Sequence, residues 1–485
     1  MAVSDHSLRG RRLPLWVGLA LSVATVGPTL AMAGNGQGLV PAVGKAVPLV
    51  FVIGLVGVSL VGYSFVRLTR HLNHSGSAYA LVGVTVGPRA GFAAGFAMLG
   101  AYGGFCIGTL ALTAAFANSF LAEMQRGSAH PDQLPWLAIV AAAGAASFAL
   151  TGRDARFLAR ILLGIEGVGI VAMLVLAVVI IGRGGAPPTG IDLSVFSPSG
   201  MSGGAVLGGV VTAFLCWAGF EACASLGEES DDPRRDVPRA IAGTLALTGV
   251  LFVLVMFAQT IGFGTDRAGL DAFEHSANTL GDLGNTYIGE WFSLLIILTA
   301  TVGAFGCHMA TAATSGRMLF AFARDRMAPH WLSHVDAGTG SPRRAVWLTV
   351  GLAIAVNLVC GLTGWPAADT GDRALDTYFV FATAGSVGLM VCYLLVDVAA
   401  AWYSGASRFA PVHSGEGRIT GVMLPVAGAE VIGVVLWFSV KDADSWLAAP
   451  LLGLYWCALG LAVAVGASGR VARIASSLTG EVVRS

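Results

Sequence analysis

Apolar and polar positions in this chain segregate into blocks rather than following a helical or strand period. Runs of about 20 apolar residues, the length that crosses a bilayer's hydrocarbon core, are bounded by charge or by turn residues. They fall near 13 to 33, 46 to 67, 90 to 122, 135 to 151, 157 to 181, 203 to 225, 241 to 263, 290 to 316, 345 to 363, 375 to 396, 419 to 439 and 447 to 468. Twelve windows predict an all-α membrane protein of about twelve transmembrane helices, with room for a split helix near 76 to 90.

Alternating these spans from an inside start sorts the 28 Lys and Arg residues. Only Lys45, Arg126, Arg183, Arg267, Arg373 and Lys441 fall outside, leaving 22 on cytoplasmic ends and loops. That positive-inside bias predicts a multi-pass protein of the plasma (inner) membrane with both termini cytoplasmic, as tails 1–12 and 469–485. An error of one span would reverse every later loop.

Composition agrees. Apolar residues make up 55% and charged residues 12%, and the mean hydropathy is +0.75, too few polar side chains to cover a soluble globule of this size. Glycine, at 66 of 485 residues, suits close helix packing through small side chains. A net charge of zero gives no reason to expect nucleic acid as a partner; the partner implied is the lipid bilayer. The seven cysteines lie in apolar runs without metal-ligand spacing, and read as small buried hydrophobes. Arg9, Arg11 and Arg12 precede the first run as in a signal peptide, but no cleavage pattern closes it and further spans follow, so the run is expected to be retained.

Two spans are interrupted. The first places Gly27-Pro28 in mid-membrane, where proline removes a backbone donor and clashes with the preceding turn. The sixth reads Phe214-Leu215-Cys216-Trp217-Ala218-Gly219-Phe220-Glu221, a glycine followed by a carboxylate. First and sixth are corresponding members of two five-helix halves, 13–181 and 203–396, with 419–468 as two further helices. Matching interruptions point to a midplane site between inverted repeats. The plainer alternative is a proline kink and glycine packing.

The segment Gly219-Phe220-Glu221, then Gly227-Glu228-Glu229-Ser230, Pro233, Arg235, Pro238 and Arg239, resembles the sixth-helix signature of the amino acid–polyamine–organocation superfamily. Ser75-Gly76-Ser77-Ala78-Tyr79, with Gly87-Pro88, Gly91-Phe92 and Gly95-Phe96, looks like the start of that family's helix three. Ser315-Gly316-Arg317, with Ala323-Arg324-Asp325-Arg326, Pro329 and Pro342, looks like its helix-eight exit. The three cover about the first 345 residues. The resemblance implies a LeuT-like core of two inverted repeats and a substrate held at the breaks. Helix one departs from it, because Gly27-Pro28-Thr29 stands where many members carry a Gly-Ser-Gly-like run. Amino acid and amine substrates therefore both stay open.

The chemistry fits without the family. A half-helix beyond a break presents unsatisfied N–H groups that suit a carboxylate, and carbonyls left by the other half suit an ammonium. The backbone of Val26, Gly27, Pro28, Thr29 and Leu30, and of Cys216, Trp217, Ala218 and Gly219, would then hold an amino acid's head. Phe214 and Trp217 would close over its side chain or simply pack. Charged residues within spans are functional candidates by default. Glu166 lies about 9 Å beyond Arg160 along helix five among Gly164, Gly167 and Gly169. Permeases of this family often place an ionisable or polar group there. Glu166 either carries a coupling proton or is a carboxylate paired with Arg160 or backbone. Glu221 is expected one turn past the break, fixing the half-helix. His308 is a second proton candidate or a hydrogen-bonded packing residue. Glu430, outside the repeats, is expected to be structural, and Asp397, near a cytoplasmic end, to reach water. Thr314 and Ser315 would serve sodium coupling if that is the coupling ion, or satisfy themselves on their own helix.

HExxH is absent, and His71 and His74 have no third ligand beside them, which argues against the commonest zinc chemistries. Nothing in the chain calls for a cofactor. A channel would want a repeated filter or a ring of charge. The sequence thus predicts a secondary active transporter of amino acids or related amines, proton-coupled, working by alternating access. An exchanger, an exporter and a transport-inactive sensor are the alternatives.

Overall fold

A computed structural model describes residues 12–466, apart from 73, 75, 126–132, 152–154, 199–202, 277, 337–339, 367–369, 406–418, 442 and 444. Both predicted tails fall almost wholly outside the described residues, as do Ser75 of the helix-three motif and Arg126, Arg153, Arg408 and Arg418 of the charge count. The described chain is helical throughout. The first span is α1 (Leu15–Val26) and α2 (Pro28–Gly34), separated by Gly27. A short turn, α3 (Val40–Val43), leads to α4 (Val47–Thr69). Then come α5 (Ala78–Thr85), α6 (Pro88–Met124), α7 (Trp136–Thr151), α8 (Ala155–Gly182) and α9 (Gly203–Leu215). The second half holds α10 (Pro233–Phe263), α11 (Arg267–Glu274), α12 (Thr279–Tyr287), α13 (Glu290–Arg324), α14 (Arg343–Thr363), α15 (Arg373–Gly405), α16 (Leu424–Val440) and α17 (Ala449–Gly466).

Ten of these spans are long and apolar enough to cross a membrane, and two shorter apolar helices, Trp136–Thr151 and Gly203–Leu215, complete the twelve predicted windows. The expected room near 76 to 90 is filled by α5, folded back on α6. Two amphipathic helices, α11 and α12, occupy what reads as a plain loop. Each has an N-cap carboxylate or amide, with Asp266 accepting from the Gly269 N–H and Asn278 from the Gly281 N–H. Those local caps, which satisfy orphan donors, are why short helices form there.

Helix association in lipid depends on packing rather than on the hydrophobic effect, and glycine sets the closest contacts. Where α6 crosses α15, a Cβ at Gly104 would lie 2.7 Å from the Phe381 carbonyl oxygen, and one at Gly385 would lie 2.8 Å from that of Ala101. The two backbones touch directly, and α6 becomes the axis of the bundle. At the bundle end that the charge count places outside, Lys45 donates to Asp192 at 2.9 Å, and Ser194 and Thr265 donate to the same carboxylate. The Ser194 hydroxyl first, and then Lys45, hold the Asp192 carboxyl well below the usual carboxylate range.

Gly385→Leu should separate α6 from α15 and lower the melting temperature of the purified protein by at least several degrees, while Gly103→Ala, with open space at its Cβ position, should leave it unchanged. Melting in detergent followed by tryptophan fluorescence checks both.

Candidate functional site

Gly27 ends α1 in the left-handed region (φ 59°, ψ 64°), its N–H bonded to the Val23 carbonyl at 2.9 Å. Pro28 then starts α2 at its first position, where a missing N–H costs nothing. The helix is therefore broken, not merely kinked. Its second half lacks intrahelical partners for the N–H groups of Thr29 and Leu30, the first intrahelical acceptor being the Gly27 carbonyl, bonded by the Ala31 N–H at 2.8 Å.

In the sixth span α9 stops at Leu215, and Cys216 to Glu221 run as consecutive turns before a 3-10 segment, Ala222–Leu226. This corrects the expected geometry. Glu221 belongs to the break itself, and the chain beyond it forms one tight segment rather than an α-helical half, because it must bend at Gly219 (φ 96°). The two breaks meet there, since a Cβ on Gly219 would overlap Thr25 Cγ2. The Cys223 N–H also donates to Ser22 Oγ at 3.0 Å.

Glu166 of α8 is buried against the start of α2. The Thr29 hydroxyl donates to its Oε2 at 3.2 Å. Its Oε1 makes no hydrogen bond and faces Gly303 of α13, where a Cβ would sit 3.1 Å away. The partner it finds is the Thr29 side chain, not Arg160. The carboxylate takes the place of a solvent cap on the half-helix, on the side that the helix dipole favours for an anion.

Glu221 is enclosed by two tyrosines that sequence reading missed. Tyr102 of α6 donates to Oε1 at 2.5 Å, and Tyr393 of α15 donates to Oε2. Tyr393 Oη also accepts from the Gly219 N–H at 3.4 Å. The unwound segment is thus moored to both helices that cross at the glycine contact. Tyr378, also on α15, packs against the small cluster that holds Cys307, and Cys307 donates to the Thr25 carbonyl at 3.3 Å.

The other expected residues mostly pack against their neighbours. Trp217 is fully buried against Phe51 of α4 and Phe252 of α10, with ring centroids 5.8 and 5.2 Å away. Phe214 packs toward Gly54 and Gly57 of α4. These are packing contacts. Cys216 donates back to the Thr212 carbonyl of α9 at 3.5 Å, and Ala218 is half-buried in the turn. Leu30 is buried in a small cluster with Ala304 and Cys307, and Val26 in the main core. His308 Nδ1 lies 2.8 Å from the Cys106 carbonyl oxygen, and its Nε2 has no partner. Thr314 donates to the Ala310 carbonyl of α13 at 3.0 Å. Ser315 lines a separate cavity among α6, α14 and α15.

The three sequence motifs converge at one end of the bundle. Arg317 forms a two-pronged pair with Glu229 at 2.8 and 3.3 Å, both side chains nearly inaccessible. Arg324 pairs with Glu228 at 2.8 and 3.0 Å, and its Nη2 lies 2.5 Å from His74 Nε2. Tyr79 donates to Asp325 at 2.6 Å. Leu13, just before α1, bridges the same loop, its N–H bonded to the Glu229 carbonyl at 2.7 Å and its carbonyl accepting from the Asp231 N–H at 2.9 Å. The segment leading into α1, the loop after the sixth span and the end of α13 are locked together.

A comparison of the sequence with known families matches residues 15–463 to the amino acid permeases. The chain belongs to the amino acid permease family. An uncharacterized transporter of Mycobacterium tuberculosis is 30% identical over 308 residues, 62% of this permease and 64% of that protein. This permease therefore spans about 64% of the length of the mycobacterial relative it matches. The low-affinity putrescine importer PlaP of Escherichia coli K12 is 23% identical over 433 residues, 86% of this chain and 84% of its own. The branched-chain amino acid permease BcaP of Lactococcus lactis is 24% identical over 368 residues, 70% and 73% of the two chains.

Removing one member of a buried ion pair leaves the other unpaired and costs about 3–5 kcal/mol. Arg317→Leu should therefore destabilise the purified permease strongly, and Arg317→Leu with Glu229→Leu should recover much of the loss. Denaturation midpoints of the two variants test this.

Proposed function

We propose that this permease is a secondary active transporter of amino acids or related amines, which it holds at the two breaks and passes across the plasma membrane by alternating access. The observation that carries this reading is the contact between the breaks. Two positive-φ glycines interrupt two spans, and the interruptions lie side by side at Gly219 and Thr25, where unwound backbone is tolerated only if it lines a cavity or finds partners in protein. Correspondence of the first and sixth spans supports two inverted repeats, 13–181 and 203–396. On the cytoplasmic-termini reading, the Arg317–Glu229 and Arg324–Glu228 pairs close the inner side.

Glu166 deepens the reading. It already accepts from the Thr29 hydroxyl at the start of α2, where an amino acid's carboxylate would seek its donors. Two carboxylates sharing one set of donors cannot both stay charged, so a bound amino acid brings a proton with it. This is the logic of proton symport. For an amine substrate the same Glu166 stays charged and acts as the counter-ion. The unpartnered Oε1 beside Gly303 supports that second case, as does the resemblance to a putrescine importer across most of both chains. His308 ranks below Glu166 as a proton carrier because its Nδ1 is already engaged at Cys106.

Flux in proteoliposomes separates these cases. Wild-type protein should accumulate an amino acid or an amine down an imposed pH gradient. Glu166→Gln should keep amino acid binding and exchange but lose at least tenfold in gradient-driven accumulation. For an amine it should lose binding as well. Uptake that requires sodium and ignores pH would overturn proton coupling and move attention to Thr314 and Ser315. Gly219→Leu should abolish flux while the protein still inserts, because no side chain fits between the breaks without displacing Thr25. Wild-type flux in that variant would end the site assignment.

A further inference from the structure

α2 is seven residues long, about 10 Å, and both of its ends are held. At its start the Thr29 hydroxyl meets Glu166. The last carbonyls of a helix lack intrahelical donors, and here those of Ala31, Met32 and Ala33 are answered by side chains. Asn35 donates to the Ala31 carbonyl at 2.9 Å, a local cap. The other two donors come from far along the chain. Gln259 of α10 gives its amide N–H to the Met32 carbonyl at 2.9 Å. Thr279, the first residue of α12, donates to the Ala33 carbonyl at 3.2 Å and lies 3.4 Å from that of Met32. Gln259, Thr279 and Met32 are all buried.

Packing closes the same end. A Cβ on Gly36, just after α2, would lie 2.9 Å from the Phe273 ring of α11 and 3.0 Å from Met256 Sδ of α10. Phe273 is itself stacked on Phe263, with ring centroids 4.9 Å apart. Filling space does not call for a glutamine at 259, because its Oε1 is buried without a hydrogen-bond partner and an unpaired buried oxygen is destabilising. Methionine would occupy a similar volume without that penalty. What Gln259 supplies and methionine cannot is the N–H on Met32.

Glu166 and Gln259 act on Thr29 and Met32, about 4.5 Å apart along α2. Hydrogen bonds weaken over a few tenths of an ångström, so α2 cannot tilt from its place without breaking the Gln259 contact or drawing α10 with it. α10 starts at Pro233, just beyond the loop that carries Glu228 and Glu229, and Gln259 lies about 39 Å along it. One helix thus runs from the ion-paired end of the bundle to the outer end of the broken span.

We propose that Gln259, assisted by Thr279, is a positioning residue for alternating access: its amide holds α2 over the breaks and makes α2 move together with α10, α11 and α12. The inference rests on the breaks being the transport site and adds the residues that set the position of α2. An apolar residue at 259 leaves the Met32 carbonyl unanswered where no water replaces the donor. α2 then loses its fixed end, and the break beneath it opens to the outer face.

Cys307 reports that opening. It is buried, its Cβ lies 3.7 Å from where a Cβ on Gly27 would sit, and it bonds the Thr25 carbonyl, so displacement of α2 exposes it. Right-side-out and inside-out membrane vesicles holding the full-length protein are treated with a charged, membrane-impermeant methanethiosulfonate, and modification of Cys307 is counted by peptide mass spectrometry. Gln259→Met should raise the rate at least fivefold in right-side-out vesicles and leave it unchanged in inside-out ones. Thr279→Val should act in the same direction, while Thr279→Ser, which keeps the hydroxyl, should stay at the wild-type rate. If Gln259→Met does not fold, the two Thr279 variants decide. The proposal is overturned by a wild-type rate in folded Gln259→Met, by a rate in Thr279→Val equal to that in Thr279→Ser, or by an increase not confined to the outer face, which marks residues that only stabilise the fold. The readout needs no substrate, so absence of flux in the wild type would end the transport reading and still leave this test able to decide.

Discussion

Hydrocarbon offers no water to solvate an interrupted helix, so every backbone group freed by a break must find a partner within the protein. Several groups around Gly27 and Gly219 show how that constraint is met. The end of α1 is answered by Cys307 at the Thr25 carbonyl, the unwound stretch after α9 by Ser22 and Tyr393, and Glu166 stands at the start of α2, bonded to the Thr29 side chain. Each partner comes from a different element, which ties α8, α13 and α15 to the breaks. A substrate that bound here would replace some of these partners, so its arrival would be felt by all of those helices at once.

The same economy governs charge. Arg317 lies inside α13 in a buried pair with Glu229, and the helix runs on to Arg324 because both of its arginines meet carboxylates of the loop after the sixth span. Three motifs distant in sequence meet at one end of the bundle. Buried ion pairs are poor stabilisers in themselves, since desolvation offsets most of the attraction. Their use at one end of a bundle is geometric, because such a pair has one good arrangement and so fixes how the elements meet.

Much of the architecture could be read along the chain. Twelve apolar windows and the sidedness of arginine depend on local composition alone, and all twelve windows correspond to apolar helices. The Gly27-Pro28 break was equally legible, because proline and glycine act on their own residues' dihedrals. Charge misled only at edges. The window ending at 316 stopped where Arg317 begins, since hydropathy does not register that the arginine has a partner 88 residues away.

What only the tertiary structure decided involves partners far apart in sequence. Tyr102 and Tyr393 reach Glu221 across 119 and 172 residues, and in their own helices they look like any buried aromatic. Phe214 and Trp217 flank the sixth break, yet which way they turn depends on the room that Gly54 and Gly57 leave on α4. Asp397, read as a solvated end residue, is sealed by the missing side chain of Gly428. The sequence by itself determined where the chain spans the membrane and where the first span breaks, because hydropathy and backbone dihedrals are properties of neighbours along the chain. Which carboxylates are capped, paired or left bare was decided by helix crossings, where a glycine on one element makes space for a group on another.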